Sequence, residues 1–199
     1  TKISYLEEKE NSFKGGTQMA NVCIFFADGF EEVEGLTVVD LLRRAGETVT
    51  MVSVSDSLYV TGSHGIQIKT DALFEKETCE KADLLVLPGG MPGTLHLGEH
   101  KELCELLVKF DQEGKKVAAI CAAPGVLGAN GILKGRKATC YPGCEEKLKG
   151  AVLSADAVVR DGNVTTSRGV GTAIAFALEL ISQLEGEVKA HQIKKSIVY

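Results

Sequence analysis

The sequence predicts an α/β fold: a mainly parallel sheet with helices on both faces and a small antiparallel hairpin. Three observations carry this expectation. Short continuous apolar runs at 22–26, 84–87 and 116–120 have the character of strands buried on both faces. Helical patterns of about a dozen residues alternate with them, which is the arrangement of βαβ units. Asp161-Gly162, between 158–160 and 163–166, is a two-residue hairpin signal.

The elements follow in order. Residues 22–26 form the first strand, which Asp28-Gly29 ends. Residues 32–44 read as a helix with Leu36, Val39 and Leu42 at helical spacing, and Gly46 stands just past its end. The β-branched alternation over 48–54 predicts a second strand, and 59–60 and 65–69 read as shorter strands around a turn. The run at 84–87 is stopped by Pro88-Gly89-Gly90. Residues 102–110 place Leu103, Leu106, Leu107 and Phe110 on one stripe of a helix. A strand at 116–120 leads into a helix at 123–129. After the hairpin, a long apolar-striped helix covers 170–184, and a final short helix or tail contains His191.

Composition narrows the function classes. The chain has 199 residues with 22 basic and 27 acidic side chains, a net charge of −5 that does not favour a nucleic-acid partner. No apolar run approaches the ~20 residues of a membrane span. Six cysteines are too sparse for a disulfide scaffold, and no signal peptide is visible, so reduced thiols and a cytoplasmic location are expected. Residues 1–18 are polar, carry Gly15-Gly16 and lack any period. They read as a leader foreign to the fold, leaving a single domain over 19–199.

In open α/β sheets, ligands bind beyond the carboxyl ends of the strands. There the sequence places Cys121, directly after a buried strand and just before Pro124. A strand, a nucleophile and a helix start resemble the nucleophile elbow of hydrolases. A helix N-terminus also favours thiolate, so a lowered thiol pKa is expected. Cys23, Cys79 and Cys104 lie inside strand or helix patterns and read as packing. Gly89-Gly90 can turn backbone N–H groups toward an anion. Glu31 and Glu32 are explained by the helix dipole, whereas Glu34 sits deeper. A carboxyl buried near a thiolate would be raised in pKa and could serve as an acid or a base. The spacing Cys140-Tyr141-Pro142-Gly143-Cys144 lacks a second Cys or His pair, so no metal is expected.

At these residues the sequence resembles the ThiJ/PfpI superfamily (DJ-one family), in the branch of the parkinsonism-associated protein and its bacterial relatives. The matching stretches are 27–34, 39–46, 86–90, 118–124 and 166–172, in family order. The resemblance implies a flavodoxin-like three-layer sandwich that forms a homodimer. It puts Cys121 on the reactive elbow cysteine and Glu34 on the acid that hydrogen-bonds its sulfur. Gly89, Gly90 and Ala122 fall on the turns whose N–H groups line the site. No cofactor is implied. The implied activity is that of a glutathione-independent glyoxalase or deglycase acting on methylglyoxal or its adducts. The alternative is an oxidative-stress sensor or redox-regulated chaperone in which the same cysteine becomes a sulfinic acid.

Two positions depart from the family pattern. Tyr141 stands where the eukaryotic branch has a histidine before proline, and some bacterial relatives also carry an aromatic there. His64 stands where relatives often have an arginine, a more dependable partner for an anion. Both are accessory candidates. The protease-like branch has a histidine directly after the nucleophile, where this chain has Ala122. Class I glutamine amidotransferases need a late His and Glu pair, and here His191 is followed by Gln192 and Ile193.

Overall fold

The fold is described by a computed structural model covering residues 19–199. The expected leader, 1–18, lies outside the described residues. Strand β1 (Asn21–Phe26) leads through a tight turn into helix α1 (Glu32–Ala45). Glu31 caps α1 by accepting from Val33 N–H, and Gly46 closes it in the left-handed conformation at φ 100°. Then come β2 (Thr48–Ser53), the β3–β4 ribbon (Tyr59–Thr61 and Gln67–Lys69), β5 (Ala72–Leu73), α2 (Lys76–Cys79) and β6 (Leu84–Leu87). Helices α3 (Gly93–Glu99) and α4 (Lys101–Gln112) precede β7 (Lys116–Ile120), and α5 (Pro124–Ala129) follows it. The rest is β8 (Lys137–Ala138), β9 (Val152–Leu153), the hairpin β10 (Val158–Asp161) and β11 (Val164–Ser167), then α6 (Ala173–Glu185) and α7 (Glu187–Ser196).

The main sheet has seven strands in the order β10-β11-β7-β6-β1-β2-β5, and every pairing but β10–β11 is parallel. The chain moves outward from β1 to β2, then returns to β6 on the other side of β1. That reversal is the topological switch at which such sheets open a ligand crevice. Alternation along the strands sorts the core into two layers. Val22, Ile24, Val86, Ala118 and Ile120 pack under Leu42, Phe176 and Ile181 of α1 and α6. Phe25, Leu85, Leu87, Val117 and Ala119 pack under Leu103, Leu107 and Phe110 of α4. The three-layer α/β expectation and its edge hairpin therefore hold, except that the two turn residues are Gly162 and Asn163, Asp161 being the last residue of β10 and paired with Val164.

The short elements α2, α3, β5, β8 and β9 have no counterpart in the sequence reading, because each is too short to show a period. The helix expected over 170–184 begins later. Val170–Thr172 form a 3₁₀ turn, in which the Thr172 hydroxyl accepts from Gly169 N–H at 3.1 Å, and α6 begins at Ala173.

Candidate active site

The site lies at the carboxyl ends of four adjacent strands, β11, β7, β6 and β1. Cys121 follows β7 in the left-handed region at φ 67°, a conformation costing a non-glycine residue about 1–2 kcal/mol. The surroundings over-determine it. Its N–H donates to Ser167 O at 3.0 Å, and its carbonyl accepts from Tyr141 N–H at 2.8 Å. Pro124 then opens α5 within its first turn. The elbow expected from the sequence is present, with its backbone strain concentrated on the cysteine.

Gly89 and Gly90 extend from the neighbouring strand to form the floor. A Cβ on Gly89 would stand 2.5 Å from Glu34 Oε2 and 2.6 Å from the Cys121 Cβ, so this close approach requires glycine. The Gly89 N–H donates to Glu34 Oε2 at 2.9 Å, and its carbonyl accepts from Glu31 N–H at 2.8 Å. Gly90 has φ 93°, and a Cβ there would collide with the Glu31 backbone. The backbone N–H groups of Ala122 and Gly90 act to lower the Cys121 thiol.

Glu34 is fully buried at 1% exposure on the first turn of α1. Burial pushes its carboxyl up to about 7, against the opposing hydrogen bonding with Cys121 and the Gly89 N–H. Its Oε1 is buried and has no hydrogen-bond partner among the described residues. Burial and the Glu34 charge together push the Cys121 thiol up to about 12, although the Ala122 and Gly90 N–H groups act the other way. This corrects the expectation of a thiol lowered by a helix N-terminus: α5 is only six residues long, and burial, followed by the Glu34 carboxylate, outweighs it. The two acids behave as a pair. Once Glu34 takes the proton, its charge no longer opposes ionisation of the sulfur.

The accessory candidates fall in different places. The Tyr141 ring is half exposed and lies over Gly169, with Cδ2 3.4 Å from where a Gly169 Cβ would stand. Only its backbone is tied to Cys121. His64 sits on the β3–β4 turn with its ring against carboxylates, Nδ1 lying 3.0 Å from Glu32 Oε2 and 3.4 Å from Glu31 Oε2. The Glu32 hydrogen bond, and then the charges of Glu31 and Glu32, raise the His64 pKa. Glu31, Glu32 and His64 offer ligand atoms within 4.8 Å of one another, but Glu32 is already occupied by the His64 ring and by the His64 and Ile66 N–H groups. Cys140 and Cys144 close a turn instead, the Cys140 thiol and the Cys144 N–H both donating to Tyr141 O.

Sequence reasoning did not assign roles to Ser167, Gly169 or Thr172. Ser167 supplies the carbonyl that anchors the elbow, and its hydroxyl lies 2.7 Å from the Thr172 hydroxyl. All three lie in the family-matching stretch 166–172, which is the signal that marks them.

Comparison with known proteins gives a consistent result. The DJ-1/PfpI family profile matches residues 20–183. Protein DJ-1 homolog B of Arabidopsis thaliana is 40% identical over 179 residues, covering 89% of this chain and 41% of the relative. The chain thus spans less than half of that relative's length. A Pyrococcus abyssi protein named a deglycase is 37% identical, covering 82% of this chain and 99% of its own. The solved structure of oxidized Toxoplasma gondii DJ-1 superposes with a TM-score of 0.86 at 34% identity, covering 90% of this chain and 98% of that one.

Proposed function

Since the chain belongs to the DJ-1/PfpI family, we propose that it is a thiol-dependent, glutathione-independent glyoxalase or deglycase acting on methylglyoxal or its adducts. The observation that carries this reading is the close approach of the Glu34 carboxyl and Cys121 over Gly89. With Glu34 protonated, the Cys121 thiolate adds to the aldehyde carbon to form a hemithioacetal. The N–H groups of Gly90 and Ala122 hold the developing oxyanion. The oxyanion takes the Glu34 proton to give the hemithioacetal hydroxyl, and the resulting Glu34 carboxylate then moves the proton from C1 through an enediol to C2. The product is a lactoyl thioester on Cys121. Water then releases lactate and restores the thiol, so the sum is methylglyoxal plus water to lactate. For adducts, the C1 hydroxyl would first lose its proton and collapse to the aldehyde as the amine or thiol leaves with a proton, and the freed aldehyde then reacts as above.

Lactate production without glutathione, compared between the parent and Cys121→Ser, tests the proposal. Loss of turnover in the variant is expected, and equal rates would sink it.

One feature favours a second reading. The unpartnered Glu34 Oε1 can donate to an oxygen on sulfur when protonated, which would stabilise Cys121 sulfinic acid in an oxidative-stress sensor or redox-regulated chaperone. After mild peroxide, a +32 adduct mapped to Cys121 is expected, and its absence removes this reading.

We also propose that the protein acts as a homodimer. Val33, Tyr59 and Ile66 are 46%, 54% and 55% exposed and lie on α1 and the adjoining β3–β4 ribbon. A second copy would cover this apolar face beside His64. A monomeric mass in solution would refute it. A cytoplasmic location fits the free state of the six thiols, and no helix of the described residues is long and apolar enough to cross a membrane.

A further inference from the structure

A groove opens beside the reacting cysteine that methylglyoxal alone does not explain. Its volume is about 490 Å³, within the roughly 300–1,000 Å³ of small-molecule sites. Ala122, the residue after Cys121, and Met91, the residue after Gly90, both line it. The groove therefore adjoins the two turns that carry the proposed oxyanion donors. It lies between α3 and α5, and glycines face it from both helices. A Cβ at Gly98 of α3 would stand 3.6 Å from Val126 Cγ2 of α5, and one at Gly125 of α5 would stand 3.1 Å from the Lys147 Cβ. The space is open because no side chain is there to fill it.

The lining selects an uncharged, apolar occupant. Ala122 and Val126 are buried apolar side chains on its inner wall. Thr94 is the one uncharged polar side chain in the lining. Its hydroxyl oxygen is shut off from solvent, so it offers the groove no hydrogen bond. Met91 and Leu95 are each 49% exposed, a pair of large apolar side chains left in water beside the site. The charged lining residues are Glu99, Glu146, Lys147 and Lys149, and all four are exposed. Two carboxylates and two ammonium groups carry no net charge, so the rim favours neither an anion nor a cation.

We propose that this groove is the subsite for the C2 substituent of the substrate, and that the chain prefers α-oxoaldehydes carrying an apolar group larger than the methyl of methylglyoxal. This substrate class rests on the glyoxalase reading above. A methyl group leaves most of the groove to water. A branched alkyl group displaces that water, and each methylene so buried is worth roughly a fourfold gain in binding. The bond changes at Cys121 are the same as for methylglyoxal. The α-oxoaldehyde gains one water and becomes the corresponding α-hydroxy acid, so C1 is oxidised, C2 is reduced and no outside oxidant is needed.

Methylglyoxal, ethylglyoxal and isobutylglyoxal, turned over by the unsubstituted chain without glutathione, test this. The expected kcat/KM rises along the series, by at least about tenfold overall, chiefly through KM. Methylglyoxal turnover with a flat or falling series overturns this substrate class alone. Absence of Cys121-dependent turnover with every member overturns it together with the glyoxalase reading. Leu95→Asp puts a charge on the groove wall at a half-exposed helix position, and is expected to lower kcat/KM for isobutylglyoxal relative to methylglyoxal by about tenfold. Leu73→Asp, exposed on the sheet-edge strand β5, is expected to leave that ratio unchanged. A ratio unmoved by Leu95→Asp, or moved equally by Leu73→Asp, overturns the proposal. Because the ratio is taken within one protein, it does not depend on how much of a variant folds.

Discussion

The carboxylate of Glu34 and the Cβ of Cys121 converge on a single glycine. At Gly89 a methyl group would come within 2.5 Å of one and 2.6 Å of the other. An acid delivered by the first turn of α1 and a thiol delivered by the end of β7 therefore share one buried volume. Each shifts the ionisation of the other, and most of the predictions below follow from that contact.

Gly89→Ala would force the carboxylate and the cysteine apart. The carboxylate can swing, but the Cys121 Cβ and the Ile120 carbonyl belong to the elbow and the strand end. The expected cost is about 1–3 kcal/mol in stability, with a large loss of Cys121 alkylation rate. Thermal unfolding and iodoacetamide kinetics check both. An unchanged alkylation rate would show that the contact is not needed.

Glu34→Gln removes a buried charge beside the sulfur while keeping an amide that can donate to it. The Cys121 thiol, pushed up to about 12 by burial and by Glu34, is expected to titrate at lower pH in the variant. The alkylation rate of the Cys121 peptide across pH reads this directly, and lactate production should nevertheless fall because the proton shuttle is gone. A thiol that titrates higher in the variant would contradict this electrostatic account.

The same substitution has a stability signature. Glu34 is raised from 4.5 to about 7 on folding, so between those values the unfolded chain loses a proton that the folded chain keeps. Stability therefore falls as pH rises through this window, by roughly 3 kcal/mol at most. Glu34→Gln is expected to flatten that decline. Denaturant titrations of both proteins at pH 4.5 and pH 7.5 measure it, and parallel pH dependences would refute it.

Glu32 behaves oppositely. Burial would raise it, but the His64 ring and the His64 and Ile66 N–H groups prevail and bring it down to about 2. Its contribution is present above its ordinary value of 4.5 and is lost as pH falls toward 2. Glu32→Ala leaves those donors unpaired under the β3–β4 turn, at a cost of roughly 1–3 kcal/mol. Hydrogen exchange at the His64 and Ile66 amides should rise with it.

Cys121→Gly relieves the left-handed backbone at φ 67°. The gain of about 1 kcal/mol in relieved strain opposes the loss of a half-buried side chain. The variant should consequently be at least as stable as Cys121→Ala and, like it, inactive. A Cys121→Gly variant clearly less stable than Cys121→Ala would show that the elbow is not strained.

Much of this was written locally in the chain. Apolar runs bounded by glycine and proline marked β1, β6 and β7 because a strand buried on both faces has no polar side to show. Asp161-Gly162 marked the hairpin because a two-residue turn needs φ above zero, and Gly162 has φ 61°. Cys121, Glu34 and the glycine pair were legible as candidates because position relative to a strand end is a property of sequence. What the sequence misjudged was the state of the thiol. A helix N-terminus is a local feature, but the penalty that outweighs it comes first from the layers that exclude water and then from Glu34, 87 residues away (121 − 34). Residue type and local order determined which groups were available. The crossing of β1, β6 and β7 decided which of them meet and how far water is kept away, and in a buried site those two quantities set where the proton rests.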